Sequence, residues 1–276
     1  MTDENTILLG AAVGASAAVA NKAYNDLVHP AAQELGQSLG YTARFIKAVF
    51  FRPLSVAADC INKKCDKFME KVEETVESVP PERRIEPSLG VLQPIIAGAW
   101  GALDSELVQG LFLNLLKTSM DINTTSKAFP VHGELIKQLS PDEALILVYL
   151  SSSRKYHPVI NAKLCKRENE NSFNLVKEKI SFLPLNINLK YPENCPIYLD
   201  NLERSGLITS SFLQTADPED SYKDLENTKE VLSIKEKIEQ DASQVCKFDR
   251  GVFYLTNLGK SFCQACISES MKKTFL

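Results

Sequence analysis

A serine and two carboxylates, Ser140, Asp142 and Glu143, stand within four residues of one another just before an apolar run. Such a group could supply a nucleophile and a general base. It also fits a capping box, in which the serine hydroxyl accepts from the backbone N–H three residues on and the glutamate reaches back to the serine N–H. Pro141 loses no hydrogen bond at the first helical position, and both acids favour the positive end of the helix dipole. The pattern therefore predicts a helix N-terminus rather than a catalytic site.

Two cysteines, Cys263 and Cys266, form a C-x-x-C pattern near the end of the sequence. Structural zinc takes four ligands, but no second cysteine pair lies nearby and no histidine follows His157. The pair also falls inside a predicted helix, whereas a thioredoxin-like thiol would open one. We therefore predict buried structural thiols, with redox or metal chemistry as the alternative.

The three histidines, His29, His132 and His157, are far apart in the sequence, and each lies beside or near a proline or glycine. No H-E-x-x-H, G-x-S-x-G, P-loop or G-x-G-x-x-G pattern accompanies them. Capping or packing is the predicted role of each. We assign no catalytic, cofactor-binding or metal-ligating residue, expect no cofactor, and expect that the chain is not an enzyme.

The composition is that of a folded cytoplasmic protein. The chain has 276 residues, of which 44% are hydrophobic and 24% charged, with a formal net charge of -4; disordered chains are less apolar. Seven scattered cysteines and an acidic first six residues predict free thiols and no secretory signal. Residues 7–20 are apolar but shorter than the about 20 residues that cross a bilayer. Together with the basic-flanked residues 45–54, they make membrane association through residues 7–54, peripheral to the inner membrane, an open alternative.

Helical patterns dominate the first half of the sequence. Apolar residues recur every three or four positions from Ala58 to Val79, and the prolines of PPERRIEPS end that pattern in a predicted linker. Three further helical patterns follow between residues 89 and 139, with Asp104 or Ser105 as a candidate cap. We predict an N-terminal helical region over residues 1–79 and a helical bundle core over residues 80–139.

The pattern changes over residues 140–276. A capped helix is followed by short β-branched segments, an amphipathic helix that Gly206 ends, and a strand that enters a closing helix. This order predicts a winged-helix-like domain, with an acidic helical insert at about residues 222–245 in place of the wing. The predicted fold class is thus mainly α: N-terminal helices and a helical bundle, followed by a winged-helix-like α+β C-terminal part.

A winged helix raises the question of DNA binding. Its recognition helix would carry Tyr198, Asn201, Glu203 and Arg204, but also Asp200. Residues 141–276 contain 18 Lys and Arg against 19 Asp and Glu, whereas a DNA reader usually shows a basic stripe. Nucleic-acid binding is therefore disfavoured, and a winged helix used as a scaffold or protein-binding module is preferred.

Several segments in a fixed order carry a family resemblance. They are residues 24–40, residues 86–121 (EPSLGVLQPIIAGAWGALDSELVQGLFLNLLKTSMD), residues 128–147 (AFPVHGELIKQLSPDEALIL), residues 197–208 (IYLDNLERSGLI) and residues 254–267 (YLTNLGKSFCQACI). In order and spacing they resemble the abortive infection alpha family, a bacterial domain of unknown function. The resemblance implies a role in defence against phage, in which an infected cell stops growing before progeny emerge. It supplies no catalytic residues.

Four functional hypotheses follow from these observations. The first is a defence protein that acts through an unknown protein partner of host or phage, with a homo-oligomer left open. The second is a membrane-active effector that uses the N-terminal apolar helices. The third is a winged-helix DNA-binding regulator, which the charge balance weakens. The fourth is an enzyme of unfamiliar type.

Overall fold

The computed structural model describes residues 59–99, 101–153, 155–216 and 220–276. It divides the chain into two compact units, with the division between Gln138 and Leu139. The apolar segments 7–20 and 45–54 and His29 lie outside the described residues, so the interpretations that rest on them concern sequence alone.

Helices make up most of the described part of the first unit. They are α1 (Asp59–Glu77), α2 (Leu89–Ala99), α3 (Glu106–Met120) and α4 (Pro130–Ile136). The apolar stripe predicted for α1 is confirmed, because Phe68, Val72 and Val76 are buried. The predicted cap of α3 is also present, since Ser105 Oγ accepts from the Val108 N–H at 3.3 Å.

Two glycines let the helices of this unit approach closely. A Cβ atom at Gly98 would lie 2.3 Å from Cζ of the buried Phe112 in α3, and one at Gly133 would lie 2.8 Å from Cβ of Pro94 in α2. Both distances are far below carbon–carbon contact, so a larger residue would push neighbouring helices apart. The first unit is therefore held by close packing around α2.

The segment predicted as a linker is anchored to the end of α3. Pro81–Arg83 form one turn of 3-10 helix, and the Ile122 N–H donates to Arg83 O at 2.9 Å. The Arg83 guanidinium also holds both carboxylate oxygens of Asp121. A fork of this kind fixes a planar geometry as well as a charge.

The second unit mixes helices and strands. Its elements in chain order are α5 (Pro141–Ser152), β1 (His157–Lys166), β2 (Asn169–Ser181), α6 (Leu183–Asn186), α7 (Cys195–Arg204), β3 (Ile208–Ser211), α8 (Asp220–Glu226), α9 (Lys229–Glu239), β4 (Gln244–Leu255), α10 (Asn257–Cys266) and α11 (Glu269–Phe275). The four strands form one antiparallel sheet in the order β2-β1-β4-β3. β1 lies inside the sheet and pairs with β4 over its whole length, from His157 opposite Phe253 to Lys166 opposite Gln244.

The prediction of a winged-helix-like C-terminal part was wrong. The sequence indicated several short strands, but β1 and β2 form one long hairpin of 10 and 13 residues that closes through Arg167 and Glu168. That turn lacks the Asn-Gly or Asp-Gly pair that usually marks a two-residue hairpin loop, so the hairpin could not be recognised from the sequence. The described chain is mixed α+β, with a half-barrel sheet and more helix than strand.

The acidic insert at about residues 222–245 does not take the place of a wing. Its helices, α8 and α9, cover one face of the sheet. Tyr222, Leu225 and Val231 are fully buried there against strand residues such as Ile160 and Val252. The insert is helical, as predicted, but one side of it supplies core.

The predicted end of α7 at Gly206 is confirmed. Gly206 follows α7 with φ of +71°, a backbone conformation that glycine adopts at little cost. A helix start that was not predicted lies at Thr256, which caps α10 and whose hydroxyl accepts from the Gly259 N–H at 2.9 Å.

Candidate interaction surface

The group formed by Ser140, Asp142 and Glu143 is a helix N-terminus, as predicted. Ser140 Oγ accepts from the Glu143 N–H at 3.3 Å, and Glu143 Oε2 accepts from the Ser140 N–H at 2.7 Å. The capping box is therefore complete, with Pro141 at the first helical position. The serine hydroxyl is occupied by the cap.

Asp142 has a second role that the sequence did not indicate. Its carboxylate accepts from the N–H groups of Lys190 and Tyr191, at 2.9 and 3.0 Å, and from the Tyr198 hydroxyl at 2.8 Å. It thus joins the start of α5 to α7 and to the chain before it. Burial, and then the hydrogen bond to this carboxylate, raise the pKa of Tyr198 to about 12. Its partners lie 48 to 56 residues away, beyond the reach of any local pattern.

A serine–histidine contact forms at the other end of α5. Ser153 Oγ lies 3.1 Å from His157 Nε2, and the imidazole stacks on Phe253 with ring centroids 5.2 Å apart. The adjacent cavity, which Tyr149 and Asn186 also line, has a volume of about 10 Å³. Such a cavity holds no more than one water molecule. The contact therefore lacks room for a substrate, and His157 packs the start of β1.

The buried histidine of the first unit is also part of a core. His132 is fully buried in α4, and Phe129 meets its ring edge-on at 5.5 Å between centroids. Burial lowers the pKa of His132 to about 4 because it disfavours the imidazolium cation. His132 and His157 belong to different units, and each contributes to packing in its own.

Cys263 and Cys266 are buried free thiols in α10. Burial raises the pKa of Cys263 to about 12 and that of Cys266 well above its usual value. The thiolate is the nucleophile and the metal ligand, so both groups are in their unreactive form near neutral pH. Across residues 59–99, 101–153, 155–216 and 220–276, no group of three or more His, Cys, Asp or Glu side chains could hold a metal ion.

The helix that a winged helix would place in DNA uses three of its polar side chains, Tyr198, Asp200 and Glu203, in contacts within the protein. Tyr198 is bound to Asp142, as described above. Glu203 accepts from Lys179 Nζ at 2.6 Å and from the Ser210 N–H at 2.8 Å, and Asp200 accepts from the same amine at 2.6 Å. Burial lowers the pKa of Lys179, but these two carboxylates outweigh that effect and leave it above its usual value.

Glu203 lies between the two outer strands of the sheet. Lys179 belongs to β2 and Ser210 to β3, which are the opposite edges. Lys179 has φ of 52°, and the Asn161 side chain accepts its N–H at 2.9 Å. A left-handed backbone at a residue other than glycine costs about 1 to 3 kcal/mol, which the surrounding contacts must offset. We call the contacts of Glu203 with Lys179 and Ser210 the edge clasp.

Neither edge of the sheet is a free template for another strand. The pairing of β2 with β1 is interrupted by register shifts at three places, Ile160/Ala162, Ala162/Lys163 and Cys165/Lys166. β3 has only four residues, and Glu203 already occupies the Ser210 N–H. Bulges, short strands and occupied donors protect sheet edges. Backbone pairing is therefore disfavoured at both edges, and exposed side chains are the better candidate for an interaction with this unit.

Exposed apolar side chains of β2 form a candidate interaction surface. Phe173, Leu175 and Val176 are 50%, 43% and 47% exposed; we call them the hairpin surface. The Lys163 amine lies 3.7 Å from the centroid of the Phe173 ring and also pairs with Asp249, so Phe173 is positioned by a cation beside it. Adjacent exposed apolar side chains are typical of interaction sites, whereas isolated ones are ordinary. The sequence signal for this surface is the alternation in SFNLVKEKI, residues 172–180, from which no surface was predicted.

A membrane-crossing helix is not found among the described residues. None of their helices combines the length and the apolar character that a bilayer requires.

Comparison with known proteins identifies a family. The family model described as abortive infection alpha matches residues 61–266. No curated protein matches the chain significantly. An uncharacterized protein from the hydrocarbon-degrading marine bacterium Alcanivorax borkumensis SK2 has a solved structure that covers 50% of this chain and 93% of its own, at 16% sequence identity and a TM-score of 0.33. A likeness of that size carries no argument about fold or function.

Proposed function

The chain belongs to the abortive infection alpha family, and on this premise we propose that it defends a bacterial cell against phage by binding a protein partner. The partner belongs to the host or to the phage. In this proposal the chain works through recognition and not through a reaction of its own, and it acts in the cytoplasm.

The observation that carries the proposal is the hairpin surface. The Phe173 side chain is half exposed, and Leu175, two residues further along β2, lies on the same face of the strand. Aromatic residues, Phe among them, are enriched at protein interfaces, where a few well-packed side chains supply most of the binding energy. The polar groups that first suggested chemistry support the same view, because Ser140, Asp142 and His157 have structural hydrogen bonds.

The test is a phage challenge of cells that express the chain. We compare the wild type with Phe173→Asp and with Leu213→Asp, a control that places the same charge on a side chain of the second unit that is 99% exposed. Wild type and Leu213→Asp should protect the cells equally, and Phe173→Asp should lose protection by about tenfold or more, because it removes the aromatic anchor and buries a carboxylate in the interface. Equal melting temperatures of the two variants would show that Phe173→Asp is folded. Full protection by a folded Phe173→Asp variant would contradict the proposal.

A membrane-active effector remains the second candidate, favoured by the apolar residues 7–20 and 45–54. Fractionation of infected cells distinguishes it from the first. A protein partner predicts that the chain stays in the soluble fraction and that tagged chain recovers one protein from infected cells in a Phe173-dependent way. Recovery of the chain with membranes, unchanged by Phe173→Asp, would favour the effector.

A further inference from the structure

The second unit holds an open cavity beside the start of β1. The cavity has a volume of about 370 Å³ and is lined by Tyr156, Gln214 and Thr215. Sites for small molecules typically occupy about 300 to 1,000 Å³, so this cavity has room for a ligand, unlike the cavity beside His157. We call Tyr156, Gln214 and Thr215 the tyrosine pocket.

The aromatic side of the tyrosine pocket is held in place by its neighbours. The Tyr156 ring meets the Tyr254 ring edge-on, with centroids 5.0 Å apart, and Tyr254 packs against the core that α8 and α9 cover. The Lys155 amine lies 4.7 Å from the centroid of the Tyr156 ring. Tyr156 is nevertheless 37% exposed, so a positioned aromatic ring is accessible to a ligand.

The two polar residues of the pocket belong to the loop between β3 and α8, which is anchored at both ends. Phe212 lies over Gly251 of β4, where an added Cβ atom would come within 2.6 Å of Phe212 Cδ1. At the other end, the Ala216 N–H donates to the Tyr222 hydroxyl at 2.8 Å, and that hydroxyl donates to Gly251 O at 2.8 Å. Both anchors therefore meet at Gly251, and a glycine inside a strand often marks such a close approach.

The groups that line the cavity suit a planar molecule with polar edges. An aromatic ring such as that of Tyr156 binds another planar ring by stacking or edge-on contact. The Gln214 carboxamide offers donors and an acceptor, and the Thr215 hydroxyl can act as either. A nucleobase combines a planar ring with donors and acceptors along its edge, and proteins bind unstacked bases through these two kinds of contact.

The sequence around the lining residues carries both signs of charge. Lys155 precedes Tyr156, whereas three acids, Asp217, Glu219 and Asp220, follow Thr215 within five residues. Because these charges oppose one another, they favour neither a phosphorylated nor an uncharged ligand. The base is therefore the part of the ligand that the pocket recognises.

From these observations we propose that the tyrosine pocket binds the base of a free nucleoside or nucleotide. The pocket is distant from the hairpin surface, since Phe173 pairs with Cys165, nine residues along the chain from Tyr156. Nine residues of strand span about 30 Å. The inference thus concerns a second site and does not depend on the defence role.

Titration of the full-length chain with small ligands, followed by ligand-detected NMR, tests the proposal. The ligands are adenosine, guanosine, cytidine and uridine, their 5′-monophosphates, and ribose and ribose 5-phosphate as controls without a base. At least one base should bind saturably with a Kd of about 0.1 to 1 mM, and comparison of its nucleoside with its monophosphate identifies the source. Absence of saturable binding to all eight base-containing ligands, or equal binding of ribose 5-phosphate, would overturn the proposal.

Matched tyrosine variants assign the binding to the pocket. Tyr156→Ala should weaken it by about tenfold, because it removes the ring on which the base stacks. Tyr191→Ala is the control and should leave the affinity unchanged. Tyr191 is 48% exposed and has the Lys190 amine 5.1 Å from its ring centroid, but it does not line the cavity. Equal losses in the two variants, or full affinity of a folded Tyr156→Ala variant, would contradict the proposal.

A second substitution keeps the proposal testable if Tyr156→Ala fails to fold. Gln214 is exposed on its loop, so Gln214→Ala leaves the core intact. This variant should bind the preferred base at least about threefold more weakly and should discriminate less among the four bases, since the carboxamide contacts the edge of the base. Wild-type affinity together with wild-type base preference in Gln214→Ala would overturn the proposal.

Discussion

The two units differ in how burial affects a polar side chain. In the first unit, His132 is fully buried in α4, and burial alone lowers its pKa to about 4. In the second, Asp142 is almost as deeply buried, but two N–H groups and one hydroxyl donate to its carboxylate. Burial disfavours the imidazolium cation of His132, whereas the donors around Asp142 offset the loss of water from its carboxylate. The first unit should therefore be sensitive to acid and the second to loss of one acceptor.

Replacement of the acceptor should have the largest effect. Asp142→Ala leaves three donors without their acceptor, each at a cost of about 1 to 3 kcal/mol. We expect the second unit to lose about 4 kcal/mol of stability, measured by native-state hydrogen exchange of β1 and α7. Asp142→Asn, which keeps one oxygen and the same shape, is the control and should lose less. Equal losses in the two variants would show that packing rather than hydrogen bonding makes Asp142 important.

Acid should weaken the first unit by a somewhat smaller amount. The folded pKa of His132 is lowered from 6.5 to about 4. Between these pH values the imidazole is protonated in the unfolded chain and neutral in the folded chain. The stability that neutral His132 contributes is complete above pH 6.5 and is lost as the pH falls towards 4, to a total of about 3 kcal/mol. Urea unfolding at stepped pH, followed by the fluorescence of Trp100 in the first unit, measures it. His132→Leu should remove this part of the pH dependence, and an unchanged slope would contradict the assignment.

Loss of charge in the edge clasp should have a moderate effect that depends on salt. Glu203→Gln can still accept from the Ser210 N–H but no longer carries a charge opposite Lys179, so we expect a loss of about 1 to 2 kcal/mol. The loss should shrink in 1 M salt, because the pair is partly exposed. Asp200→Asn, at a side chain that is 63% exposed, is the control and should cost less than about 0.5 kcal/mol. The loss caused by Asp142→Ala should not respond to salt, since its donors are neutral.

Removal of the helix cap should have the smallest effect. Ser140→Ala deletes one hydroxyl acceptor at the start of α5, which typically costs about 1 kcal/mol. Thermal unfolding would show the loss, and phage protection by the folded variant should be unchanged. Loss of phage protection at an unchanged melting temperature would indicate that Ser140 has a functional role.

Local features of the fold were predictable from the sequence, and distant contacts were not. The capping box at Ser140, the cap at Ser105 and the stop at Gly206 depend on residues within four positions of each other, so their spacing is visible. The long β1–β2 hairpin was missed because its Arg167–Glu168 turn carries none of the usual residues. The covering role of α8 and α9 was missed because Tyr222 and Leu225 stand among charged neighbours.

The candidate surface was less predictable than the fold. Alternation in β2 indicates that Phe173 and Leu175 share a face, but whether that face is covered depends on where other elements pack. The same holds for Asp142 and Glu203, whose partners are far along the chain. Residue type suggested chemistry for Asp142 and a place on a recognition helix for Glu203, and only the fold shows which donors they meet.

The edge clasp has a consequence for the life of the protein in a cell. Exposed strand edges seed fibres and deposits when a protein accumulates in a cell. Glu203 accepts from the Ser210 N–H of β3 and pairs with Lys179 of β2, so both outer strands are held within the molecule. The clasp therefore disfavours growth of the chain into cross-β material.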